Sequence, residues 1–223
     1  MGVNAAESHN VRDETIYLIG ASTLQNCLLA NCLQDEVGVT CLPNNDISCL
    51  TRKGDGNNPG SLVLLDCQGK DGTQILTELK SFKNNNSSKY RIVLFNVDYG
   101  RGDAEEYVWE GVQGLFYLTD PIEHFLKGIQ ALLQGELWLS RSLMSKCIRH
   151  GNLGLGPSEA KKAVLTKRQA EILALVAVGH SNEEIAQKLY ISAHTVKTHL
   201  YTIYKKINVP NRMQASLWAA KNL

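Results

Sequence analysis

The sequence predicts an α/β domain, built on a parallel sheet with helices on both faces, followed by a small all-α domain of four helices. Three observations predict it. Up to about residue 149, apolar runs alternate with amphipathic segments, as strands buried in a parallel sheet alternate with their crossover helices. The stretch HGNLGLGPSEAKK, His150 to Lys162, is rich in Gly and polar residues, carries Pro157 and has no sustained periodicity, so it reads as a linker. Charge divides at the same place. Residues 1–160 hold 13 Lys/Arg against 19 Asp/Glu, whereas residues 161–223 hold 10 against 3. An acidic body joined to a basic tail is the footprint of a chain in which one domain alone meets a polyanion. The expected division is residues 1–149, a linker over 150–163, and residues 164–223.

The elements follow in order. TIYLIG (Thr15–Gly20) is a short β-rich run, and TLQNCLLANCLQDE reads as a helix with Leu24, Leu28 and Cys32 along one stripe. VGVTCL (Val37–Leu42) suits a second strand. SLVLLD (Ser61–Asp66) is a continuous apolar run ending in a carboxylate, typical of a strand buried on both faces. RIVLFNV (Arg91–Val97) and GLFYL (Gly114–Leu118) repeat that pattern. GTQILTELKSF, AEEYVWEG and PIEHFLKGIQALLQ supply helices between and after them, the last with Pro121 at its start. TRKGDGNNPG and KNNNSSK are polar loops. After Gly135 comes ELWLSRSLMSKCIRH, in which Leu143, Met144, Cys147 and Ile148 form a helical face suited to dimerisation.

Past the linker, four helices are legible. LTKRQAEILALVAVG starts from a cap at Thr166, turns Ile172, Leu173 and Val176 inward and ends at Gly179. Ser181 or Asn182 caps EEIAQKLY, with Glu183 and Glu184 in the first turn, where the helix dipole favours them. Ser192 caps AHTVKTHLYTIYKKI, and MQASLWAAKN forms a last short helix. In the third helix Val196, Leu200, Ile203 and Ile207 make one apolar stripe, while Lys197, Tyr201 and Lys205 recur on another face beside Thr198 and His194. A helix anchored by one stripe and showing Lys, Thr and Tyr on another can enter the major groove of DNA.

Bulk composition excludes other classes. The 43% hydrophobic and 20% charged content is that of a globular protein, and no apolar run reaches the roughly 18 residues of a membrane span. The first fifteen residues lack the basic start and apolar centre of a secretion signal, so a cytoplasmic protein with no membrane partner is expected. Cys27, Cys32, Cys41, Cys49, Cys67 and Cys147 form no CxxC pair and have no histidines at zinc spacing. They read as small reduced hydrophobes, with one pairing among the four between Cys27 and Cys49 left open. No metal is expected. Nor is an enzyme, because no phosphate-binding loop, no GxSxG and no nucleophile with a partner histidine appears.

LTKRQAEIL, GHSNEEIAQKLYIS and HTVKTHLYTIYKKINVPNRMQA together resemble the LuxR/FixJ-type helix-turn-helix over about Leu165–Ala219. Gln169 departs from it, the family usually having Glu there. The resemblance implies a regulator that binds double-stranded DNA as a homodimer through the last helix, roughly Met213–Lys221. It places Lys197, Thr198 and Tyr201 against base edges, and Thr195, His199, Lys205, Ser181 and Asn182 in the contact surface, the last four near phosphates.

The order and lengths of the first unit resemble a response-regulator receiver, a five-stranded flavodoxin-like fold, here degenerate and with an extra C-terminal helix. Asp66 falls where receivers carry their phosphorylated aspartate. Gly20, Ala21 and Ser22 stand where an acidic pair should hold magnesium. Asn96 and Val97 replace the Ser or Thr of strand four, and Tyr117 and Leu118 replace the Lys of strand five. A lone aspartate is a poor magnesium and phosphoryl site, so Asp66 reads as a relic.

Trp138, Leu139, Ser140 and Arg141 offer an indole surface, a hydroxyl for phosphate and a guanidinium for guanine, the tools for a guanine nucleotide. The four are similar to the W-[FLM]-[TS]-R signature of the VpsT/CsgD group of biofilm-matrix regulators. That resemblance implies cyclic di-GMP bound at a receiver dimer interface, with biofilm and matrix genes as the output. The alternative keeps the DNA-binding regulator and makes its receiver ligand-independent and phosphorylation-independent, dimerising constitutively or through a partner.

Overall fold

The structure, a computed structural model, describes residues 14–21, 24–47, 50, 61–86, 90–99, 103–150 and 165–223. The linker expected over 150–163 lies outside them except for its first residue, as do Ser22, Cys49, the loop over 51–60 and residues 87–89 of KNNNSSK; Lys83–Asn86, expected in that loop, instead continue the helix Gly72–Asn86.

In chain order the first unit contains β1 (Thr15–Ile19), α1 (Leu24–Val37), β2 (Thr40–Asn44), β3 (Leu62–Asp66), α2 (Gly72–Asn86), β4 (Arg91–Val97), α3 (Ala104–Trp109), β5 (Val112–Tyr117), α4 (Ile122–Leu133) and α5 (Arg141–His150). The five described strands are all parallel, in the order β2-β1-β3-β4-β5. Side chains of a strand alternate between faces, and β3 divides accordingly. Leu62 and Leu64 join the core under α1 and α4, with Phe95, Phe116, Phe125 and Ile129. Val63 and Leu65 join the core under α2 and α3, with Ile75, Leu79, Phe82 and Tyr107. The expected flavodoxin-like sheet with helices on both faces is what forms.

Two expectations need correction. The second strand is displaced towards the C-terminus, because α1 runs through Val37 and stops at Gly38, whose φ of 75° suits the left-handed end of a helix. The stripe of α1 that points inward is Asn26, Ala30 and Leu33, whereas Leu24 and Leu28 are 77% and 58% exposed. Apolar spacing in the sequence marked a stripe on α1 without telling which face meets the sheet.

Beyond β5 the backbone of Trp138 lies along the sheet edge. Its N–H donates to Gln113 O (2.9 Å) and its carbonyl accepts from Leu115 N (3.0 Å), a parallel bridge opposite Gly114. Ser140 then caps α5, its hydroxyl accepting from Leu143 N (3.2 Å). Leu143 and Cys147 of α5 are buried against Val108 and Met213, so this part of the expected dimerisation face is spent within the chain; Ile148 stays exposed.

The second unit contains α6 (Lys167–Val178), α7 (Asn182–Leu189), α8 (Ala193–Ile207) and α9 (Arg212–Asn222). Its helix ends are local and complete. Thr166 with Gln169, and Ser181 with Glu184, form reciprocal capping boxes, and Ser192 accepts from Thr195 N. Gly179 (φ 95°) ends α6, and Tyr190 (φ 54°) makes the left-handed turn between α7 and α8. Val196, Leu200, Ile203 and Ile207 pack with Ile172, Leu173, Val176 and Ile185 into one core, as the apolar stripe predicts.

Candidate DNA-binding surface and ligand motif

Helix α8 is held from behind by that core and presents its other face away from it. Thr198 and Lys205 are exposed, and His199, Tyr201 and Thr195 half-buried. Thr195 Oγ1 is paired with the Ser192 hydroxyl (2.8 Å) at the start of the helix. Ser181 is occupied by its capping box, its N–H donating to Glu184 (2.7 Å) and its hydroxyl accepting from Glu184 N. These donations hold the Glu184 carboxyl below its usual range, the backbone N–H of Ser181 contributing most.

Two of the expected DNA contacts are engaged elsewhere. Lys197, instead of pointing to open solvent, is only 17% exposed at its side chain. Its Nζ donates to Glu14 Oε1 (2.5 Å), just ahead of β1, and to Leu133 O (2.6 Å), the last residue of α4. Glu14 also pairs with Arg91 at 2.9 Å, and Arg91 in turn donates to Leu132 O. Burial lowers the pKa of the Arg91 guanidinium, with Glu14 opposing the shift. Asn182, expected near phosphate, is 2% exposed. It donates to Gln134 O (2.9 Å) and accepts from Arg212 (2.9 Å), whose other nitrogen donates to His180 O.

The start of α9 is docked as well. Asn211 donates to Val108 O (3.0 Å) and Gln214 to Trp109 O (3.2 Å), both carbonyls at the end of α3. Met213 is buried in the cluster with Val108, Leu143 and Cys147, which leaves only the later turns of α9 open towards a second copy. Gly111 (φ 105°) allows Pro210 to approach; a Cβ there would lie 2.8 Å from the proline ring. Tyr204 lies beside Arg212, Glu136 and Arg91, and desolvation pushes its phenol up to about 12.

Trp138 is half-buried, and Ser140 and Arg141 follow it at the start of α5. The indole stacks on Phe116 (centroids 6.3 Å apart, 28° between planes) and meets His124 at 5.0 Å. Ser140 and Arg141 are exposed in the first turn of α5. Leu139, half-buried, packs against the clusters around Leu115 and Met213.

Around Asp66 the receiver chemistry is replaced by amides. Asp66 Oδ2 accepts from Asn26 (3.0 Å), and Oδ1 from Asn96 (2.9 Å) and Gln68 N (3.0 Å). Asn96 reaches it from a left-handed backbone (φ 56°) that Asn tolerates better than most residues. At Gly20 a Cβ would come within 2.6 Å of Asp66 Cβ. No group of three or more His, Cys, Asp or Glu side chains suited to a metal occurs among the described residues, and the magnesium of ordinary receivers does not fit these donors. Both carboxylate oxygens of Asp66 are thus met by amide donors. Cys27, Cys32, Cys41, Cys67 and Cys147 are free thiols, and burial pushes Cys41 up to about 12. No helix among the described residues is long and apolar enough to cross a membrane.

The chain matches two family models: the luxR family of bacterial regulatory proteins over residues 163–219, and the VpsT-like receiver domain over residues 18–141. It is 38% identical to the CsgBAC operon transcriptional regulatory protein of Escherichia coli K12 over 97% of this chain and 98% of that protein. It is 37% identical, over the same shares, to the probable csgAB operon transcriptional regulatory protein of Salmonella typhimurium LT2. Among solved structures it is similar to the regulatory domain of the master biofilm regulator CsgD, at 27% identity and a TM-score of 0.48, covering 61% of this chain and 100% of that one. Amide-filled receiver site, capped helix-turn-helix and full-length similarity agree: this chain belongs to the LuxR-type DNA-binding transcriptional regulators that carry a VpsT-like receiver domain.

Proposed function

We propose that this regulator dimerises through its receiver in response to cyclic di-GMP and reads DNA with α8, controlling biofilm and matrix genes. In this reading residues 1–149 sense and dimerise, 150–163 link, and 164–223 bind DNA. Lys197, Thr198 and Tyr201 meet base edges, while His199, Lys205, Thr195, Ser181 and, once freed, Asn182 lie along the contact surface.

The observation that carries the ligand reading is the Trp138 indole stacked on Phe116, followed three residues later by an exposed Arg141. An indole braced by Phe116 offers a rigid face for a purine, and Arg141 stands exposed where the first turn of α5 favours anions. Cyclic di-GMP is a two-fold symmetric dianion, which suits a site shared by two copies across a two-fold axis. A ligand that binds only the dimer draws monomers into it by mass action, and the paired DNA-binding units gain affinity through effective concentration.

Calorimetry with cyclic di-GMP and linear dinucleotide controls, alongside light scattering, tests the ligand. Heat and a doubling of mass with the cyclic form alone support it, and Arg141→Ala should abolish both. No heat and no mass change would favour the alternative, constitutive or partner-driven dimerisation. For DNA, Lys197→Ala with Lys205→Ala should weaken a gel-shift complex and reduce its salt slope; an unaffected complex would remove α8 from the reading role.

A further inference from the structure

Hydrogen bonds from the helix-turn-helix to the receiver, among the described residues, share a direction. Lys197, Asn182, Asn211 and Gln214 are the donors, all from the DNA-binding unit. Their acceptors are the Glu14 carboxylate and the carbonyls of Leu133, Gln134, Val108 and Trp109, all from the receiver. The four carbonyls belong to the C-terminal ends of α3 and α4, where helix carbonyls lack intrahelical partners and the dipole is negative. Glu136 adds a buried carboxylate oxygen beside Tyr204, one with no hydrogen-bond partner among the described residues.

A DNA backbone presents the same chemistry to such a domain: an array of acceptors, negative, with no donors of its own. We infer that this receiver surface is an intramolecular mimic of DNA. The α4 C-terminus and Glu14 occupy Lys197 and Asn182, while the α3 C-terminus holds the start of α9 beside them, so that DNA and the receiver compete for one surface. The inference rests on α8 being the DNA-reading helix, and it adds the identity of the competitor. Lys197 cannot serve both, since its ammonium already sits within 2.6 Å of two receiver oxygens.

The charge on Glu14 is the testable part. A receiver that blocked α8 by bulk alone would be indifferent to that charge. A mimic would not be. Freeing Lys197 breaks an ion pair, which salt assists, while binding DNA releases counterions, which salt opposes. The first effect masks part of the second in the wild-type chain.

The experiment uses the full chain and a mixed-sequence duplex, followed by fluorescence anisotropy over a range of salt, with the radius of gyration from small-angle scattering. Glu14→Gln should bind DNA about three- to ten-fold tighter at low salt, steepen the salt dependence and expand the free protein. Glu14→Asp should restore part of the wild-type behaviour. Gln214→Ala, which breaks the bond to Trp109 O without touching α8 or Glu14, should expand the protein and tighten binding in the same direction. Unchanged affinity and dimensions in both Glu14→Gln and Gln214→Ala would overturn the mimic, as would tighter binding with an unchanged salt slope. If Glu14→Gln and Gln214→Ala expand while wild type and variants alike ignore DNA even at low salt, the contact stands and the DNA-reading role of α8 is what fails; competition then has no object and the mimicry falls with it.

Discussion

Asn96 donates to Asp66 across 2.9 Å from a strand position whose backbone is left-handed, and with Asn26 and Gln68 it leaves both carboxylate oxygens supplied with donors. A receiver aspartate must accept a phosphoryl group beside a metal, and here neutral amides stand in the way. Incubation with acetyl phosphate and magnesium should therefore leave the intact mass unchanged; a stable gain of one phosphoryl group on Asp66 would refute this. The same contacts make Asp66 structural. Asp66→Ala removes the acceptor of half-buried Asn96 and one acceptor of Asn26, which also donates to Ala21 O, and should cost about 1–3 kcal/mol in denaturant unfolding.

Gly128 carries a second prediction. A Cβ there would lie 2.5 Å from the Phe116 ring and 2.7 Å from Trp138 Cε2, so the indole rests where α4 has no side chain. Gly128→Ala must push one ring away. It should destabilise the receiver by about 1–3 kcal/mol and shift the Trp138 fluorescence, since overpacking a filled site displaces its neighbours. If cyclic di-GMP stacks on Trp138, its affinity should fall in this variant as well. An unaltered spectrum with unaltered stability would mean that the rings have room the geometry denies them.

How much of this was legible in the sequence depends on how local the cause is. The helix-turn-helix could be read almost residue by residue, because Thr166, Ser181 and Ser192 cap with their own side chains and the stripe Val196–Ile207 buries itself at its own spacing. The parallel sheet followed from apolar runs that are buried on both faces, as at Leu62–Leu65, while the flavodoxin-like arrangement came from the receiver resemblance. What was not legible needs a partner distant in sequence. Nothing near Lys197 announces Glu14, 183 residues away, and nothing near Met213 announces Cys147. Leu24 and Leu28 carried the right spacing for a core stripe and face out, because periodicity fixes a stripe and tertiary packing chooses its side.

Gln169, the departure from the family pattern, sits at 6% exposure and accepts from both Thr166 N (3.1 Å) and Lys206 Nζ (2.8 Å). A carboxylate there would accept the same two donors as charge-assisted bonds, which are stronger than neutral ones. Gln169→Glu should raise stability by about 0.5–1 kcal/mol, read as a higher denaturant midpoint at unchanged slope. The gain should vanish in the Lys206→Met background. A gain that persists there would assign the effect to the capping box alone.

Cys147 gives a pH dependence with a definite sign. Buried between Val108 and Met213, chiefly by desolvation and secondarily through Glu105, its thiol is pushed from 9.0 to about 11. The folded state thus holds its proton more tightly than the unfolded chain. That contribution is complete below pH 9, shrinks as the unfolded thiol ionises, and is gone once pH has risen through about 11. Cys41 titrates in the same direction, pushed up to about 12, so the two must be separated by substitution. Between pH 8 and pH 11 the wild type should lose more stability than Cys147→Ala, by on the order of 1 kcal/mol. Since this thiol shares its buried cluster with Met213 of the DNA-binding unit, the loss should appear first as weakened docking, seen as expansion in scattering before the far-ultraviolet signal changes. Parallel losses in the two proteins would show that Cys147 is not the titrating group.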